Sequence, residues 1–178
     1  MWTWLPLFLL EGFRLSGLTD ARAAASLVAF GAIGIGSLGC AAAGVLADRY
    51  GRTLTTIVSM VGSGACSLFI GFLFGGRPVI VVIVALAWGA VIVADSAQFS
   101  TSVTELGDPA YAGTALTTQV ALGFLLTLVS IRLVPVLVGW VGWRYAFAAL
   151  AAGPALGSLA MWRLRARPEA ARLAGGMR

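Results

Sequence analysis

The chain has 178 residues, 60% of them hydrophobic and 11% charged, with a formal net charge of +5 and a mean hydropathy of +0.95. Ordinary soluble domains are about 45–50% apolar and about 25% charged, and an 18.4 kDa chain has too little interior to hide this much apolar surface. A soluble globular domain is therefore excluded, as is a disordered chain, which needs low hydrophobicity and high charge; an integral membrane protein remains.

Absent residues exclude more. There is no His, and all 12 basic residues are Arg, against 7 acids. Without Lys there is no Walker A phosphate loop, no Schiff base and no Ser/Lys dyad. Without His there is no Ser–His or Cys–His nucleophile pair and no HExxH zinc site. Cys40 and Cys66 each stand alone in an apolar run, as small buried residues rather than a disulfide or metal framework. No enzymatic activity, metal or cofactor is expected.

Six apolar segments follow in chain order. The first, residues 1–10, is bounded by Glu11 and Arg14 and is too short to span; about 20 residues are needed. It lacks the basic start and small-residue cleavage pattern of a signal peptide, and reads as the outer portion of a helix that begins upstream. The next five are free of charge over residues 23–47, 53–76, 78–94, 109–131 and 145–162. The fourth of the six is expected to continue past Asp95 to about Thr104, and Arg132 is expected to snorkel from the outer end of the fifth. The glycines of Gly31-x-x-Gly34-x-Gly36, Gly71-x-x-x-Gly75 and Gly153-x-x-x-Gly157 suit close helix packing. Residues 1–162 form the membrane unit, and residues 163–178 an Arg-rich tail.

With six spans, Arg14, Arg22, Arg77 and Arg144 share one side, whereas Arg49, Arg52, Arg163, Arg165, Arg167, Arg172 and Arg178 share the other. The positive-inside rule places the second side, with both termini, in the cytoplasm. Topology thus accounts for the pI near 10.2, which in a soluble domain would suggest nucleic acid; no nucleic-acid partner is expected.

The most informative stretch joins the second segment to the third: Gly44-Val45-Leu46-Ala47-Asp48-Arg49-Tyr50-Gly51-Arg52-Thr53. Asp48 closes one helix and Arg49 and Arg52 precede another, each on the side that the helix macrodipole disfavours. Positive-inside loop charge explains the two arginines but not Asp48. Local misfits of this kind mark function or a distant partner. Gly51 suits a tight turn with positive φ.

At these residues the sequence resembles the major facilitator superfamily of secondary transporters, whose signature between the second and third helices of a six-helix half runs G-x-L-A-D-R-x-G-R-[KR]. Gly44, Leu46, Ala47, Asp48, Arg49, Gly51 and Arg52 match in register; Thr53 stands where the family usually has a second basic residue, which weakens one charge of the switch. The resemblance implies that Asp48, Arg49 and Arg52 make charge contacts that hold the cytoplasmic side closed and re-form during rocking. The stretch from Asp95 to Glu105, with 113–116 and 123–126, resembles the fourth and fifth helices of the second half in many bacterial members. That implies helices 7 to 12 of a twelve-helix protein whose first half is absent, built as two inverted three-helix repeats.

Polar residues inside the segments point the same way. Trp88, Asp95, Gln98, Ser102 and Glu105 recur at helical intervals, and an ionisable residue such as Asp95 is expensive in a bilayer unless it faces a cavity or partner. Trp88, Asp95, Gln98 and, from the Thr cluster of the fifth segment, Thr118 are the candidates for a substrate or ion path; Glu105 and Asp108 read as loop charges. Asp95 is the first carboxylate candidate for proton coupling and Glu11 the second.

The expectation is therefore an all-α membrane protein of the bacterial cytoplasmic membrane, multi-pass, with six transmembrane helices, the first truncated. It would carry a small solute by alternating access without ATP, its partners being the bilayer, the solute, a coupled proton or ion, and either the missing N-terminal half or a second chain. Three other readings stay open: an inactive fragment, a half-size protein that pairs with another chain, and a channel or scaffold. The sequence does not name the solute, because fold does not name cargo.

Overall fold

A computed structural model describes residues 1–176; Arg178, counted above with the cytoplasmic arginines, lies outside the described residues. The described residues are helical almost throughout: α1 Leu5–Leu15, α2 Ala21–Tyr50, α3 Arg52–Ile70, α4 Pro78–Ile92, α5 Ala94–Leu106, α6 Ala112–Val141, α7 Trp143–Ala146 and α8 Ala152–Arg165. Five stretches are long and apolar enough to cross a membrane: Ala21–Tyr50, Arg52–Leu73, Pro78–Leu106, Pro109–Val141 and Trp143–Arg165. They fall on the five long segments of the sequence. At about 1.5 Å per residue, the 11 residues of α1 cover only half of a ~30 Å hydrocarbon core.

Successive spans run in opposite directions. The α2–α3 turn, the α5–α6 connection and the residues after α8 therefore gather at one end of the bundle, here the turn end. The α1–α2, α3–α4 and α6–α7 connections gather at the other. An aromatic group closes that opposite end. Phe8 of α1 packs against Phe74, Trp143 and Phe147 at ring-centroid distances of 5.2, 5.7 and 5.3 Å, and Trp143 Nε1 donates to the Glu11 carboxylate.

Between the ends, small residues set the spacing. Ala21, Ala25, Ala29 and Ala32 form a buried stripe on α2, at helical intervals, against which α4 lies. A Cβ on Gly39 would run into the Ala90 carbonyl, and one on Gly89 into that of Ala32. Without a hydrophobic drive between helices in lipid, such close backbone contact is what van der Waals association requires. Helix α3 buries a polar face instead, with Thr53, Thr55, Thr56, Ser59, Ser63 and Ser67 all shielded. Several of these hydroxyls return to their own helix: Thr55 Oγ1 donates to the Gly51 carbonyl at 3.0 Å and Thr56 Oγ1 to that of Arg52 at 2.7 Å.

Three boundaries differ from the sequence expectation. The fourth span reaches Leu106 but is interrupted at Val93, where Ser96 N–H takes the Val93 carbonyl three residues back; Asp95 and Ser96 offer the backbone local hydrogen bonds that compete with the helix there. The fifth span passes Arg132 and Pro135 and ends at Val141, so Arg132 sits nine residues inside the helix instead of at its end; one charge does not terminate hydrogen bonding along a backbone. The sixth span is split, its α7 and α8 joined by a 3₁₀ turn at Ala148–Ala151.

Candidate functional site

The α2–α3 connection is a single residue. Gly51 has φ 94°, a region a side chain resists, and its N–H closes α2 on the Ala47 carbonyl at 3.0 Å. Arg52 then opens α3 one helical turn beyond Asp48, which brings Arg52 Nη2 to 3.6 Å from Asp48 Oδ1.

The stronger partner comes from another span. Glu105, in the last turn of α5, takes Arg52 Nε on both carboxylate oxygens at 2.9 Å and Nη2 on Oε1 at 2.8 Å. Arg52 Nη1 donates to Gln98 Oε1 at 3.3 Å. The Arg52 side chain is 14% exposed and that of Glu105 25%, against 71% for Asp48. A forked, shielded contact outweighs a long, solvated one, so Arg52 belongs to Glu105 and only secondarily to Asp48. The pairing also resolves a local conflict: a cation at the N-terminus of α3 and an anion at the C-terminus of α5 each oppose their own macrodipole and compensate each other. Arg49 is exposed, and Gly44 faces open space.

Glu105, expected as a loop charge, lies on α5 and anchors the cluster. Its signal was the Gln98, Ser102 and Glu105 spacing, which puts all three on the α5 face turned to α3, with Gln98 and Ser102 buried. Beside the cluster a cavity of about 370 Å³ opens between α2, α3 and α4, lined by small and apolar residues such as Gly39, Ala43, Leu46 and Val58.

No family model and no curated protein sequence matches the chain. Among solved structures, the xylose transporter XylE from E. coli, in its inward-open conformation, superposes on 95% of this chain with a TM-score of 0.66 at 18% sequence identity. The fold is that of one half of a major facilitator transporter. The chain spans about half the length of that transporter, 48% of it. The major facilitator resemblance read at residues 44–53 thus holds at the level of fold, and the described helices are those of a multi-pass membrane protein.

Within this fold, the four path candidates occupy different surroundings. Trp88 on α4 is 1% exposed, donates from Nε1 to Ser63 Oγ of α3 at 3.1 Å, and lies edge-on to Phe147 at 5.4 Å. Gln98 faces Arg52 as above. Asp95 stands half-buried in the first turn of α5, just past the break, where it accepts from Ser96 Oγ at 3.3 Å. Thr118 is exposed on α6. An open groove of about 550 Å³ between the start of α1 and α2 is lined by Trp2, Ser37, Cys40 and Val93, the break residue. From sequence, Trp2 is readable either as part of an interfacial belt or as a path residue, and Cys40 only as a small buried residue.

Proposed function

We propose that the chain is the C-terminal half of a secondary carrier of the major facilitator type, which moves a small solute across a bacterial cytoplasmic membrane by alternating access, with both termini cytoplasmic. The observation that carries this is the coincidence of the 44–53 signature with the turn between the second and third helices of a major facilitator half-bundle. The Arg excess at the turn end supports the orientation. In this reading Asp48, Arg49 and Arg52 hold the cytoplasmic side closed through charge contacts that break and re-form, and Gly44 and Gly51 shape the turn. Trp88, Asp95, Gln98 and Thr118 belong to the solute or ion path, and Asp95 is the first group to couple a proton.

Solute counterflow in proteoliposomes tests the carrier. Preloaded solute is expected to accelerate saturable uptake, with pH-driven uptake lost in Asp95→Asn. Linear uptake without acceleration would point to a channel and contradict the proposal, and unchanged pH-driven uptake in Asp95→Asn would overturn the coupling role.

A further inference from the structure

The residues after α8 have the composition of a solvated tail, yet Pro168–Gly176 is docked on the bundle. Ala170 and Leu173 are both 0% exposed, and the segment packs against α5 and α8 at the turn end. At Leu173 the backbone leaves its 3₁₀ turns (φ −77°, ψ 139°). Ala174 then adopts φ 47°, ψ 42°, and among the described residues it is the one non-glycine with positive φ. A side chain enters that region only when its surroundings over-determine it. Two things do so here: the buried Leu173 side chain, and the Ala174 N–H, which donates to Glu105 Oε2 at 3.0 Å.

Glu105 is thus held from two directions. Arg52 engages both carboxylate oxygens from α3, and the tail amide takes Oε2 from below. A carboxylate fixed by a backbone donor as well as by its cation loses rotamer freedom, so it meets Arg52 already oriented. We propose that residues 168–176 are a clamp that positions Glu105 for Arg52, and that tail docking sets how readily the α3–α5 contact opens. The clamp rests on the switch reading of the 44–53 turn for its role in transport, but not for its existence.

The test is hydrogen–deuterium exchange of the native product in lipid nanodiscs, following amides of residues 48–56. A chain stopped after Arg167, and Ala174→Pro, which removes the donor N–H, are expected to raise exchange there at least fivefold. Ala174→Gly, which keeps the donor and relieves the backbone, is expected to leave it unchanged or slower. In Glu105→Gln the tail is expected to detach more often, with tryptic cleavage at Arg172 at least fivefold faster. Unchanged exchange in both the shortened chain and Ala174→Pro would overturn the clamp. Faster exchange in the shortened chain and in Ala174→Pro, with no solute counterflow in the native protein, would contradict the carrier reading and leave the clamp standing.

Discussion

Arg52 and Glu105 show how one contact reconciles residues that look misplaced on their own helices. With both side chains less than a third exposed, replacing either by Gln leaves a shielded partner charge without its fork. Each single change is expected to cost about 1–2 kcal/mol of stability. Thermal unfolding in detergent, followed through the six Trp residues, measures this. The double exchange Arg52→Glu with Glu105→Arg should recover only part of the loss, because the Ala174 N–H and Gln98 Oε1 suit the native direction of charge. Full additivity of the two Gln variants would show that the pair is not coupled. Asp48 and Arg52 were legible as special from their clash with the macrodipole. Glu105 opposes its macrodipole in the same way once α5 is known to reach Leu106, but its partner lies 53 positions away in the chain, and local pattern carries no record of that distance.

At the scale of elements, the spans were readable because long charge-free runs have few alternatives in a bilayer. Their interruptions were not. The 3₁₀ turn at Ala148–Ala151 falls inside uniformly apolar or small-residue sequence, and the break at Val93 lies where an apolar run meets Asp95 and Ser96; hydropathy is blind to backbone hydrogen bonding at both. Glycine spacing was a partial guide. It suggested close packing at Gly31, Gly34 and Gly36; Gly36 does lie against Gly89, but the tightest approaches of α2 and α4 are at Gly39 and Gly89, and a Cβ on Gly34 would meet nothing within 4 Å. Gly89→Ala is accordingly expected to force α2 and α4 apart and cost about 1–3 kcal/mol. Gly34→Ala, on α2, should be close to neutral. Equal melting temperatures for the two variants in detergent would contradict the packing described.

At the scale of the molecule, the half-bundle carries its own internal ties at both ends. Glu11 and Trp143 link α1 to α7 at one, and Arg52, Glu105 and the docked tail link α3, α5 and the C-terminal segment at the other. Such cross-links favour motion as one body, which is what the proposed rocking against a second half requires. The fold class was legible because composition, topology and a seven-residue match agreed. The docking of the tail was not, because a lone Leu among Arg and Ala has no periodicity to read.

The most direct test of the central claim is the mass of the native product, measured with a tag placed after residue 178 at the chromosomal gene and a blot of isolated membranes. A band near twice 18.4 kDa is the expected result, as a second half joined to this one would give. A band at 18.4 kDa itself would contradict the claim that the chain is half of a longer carrier.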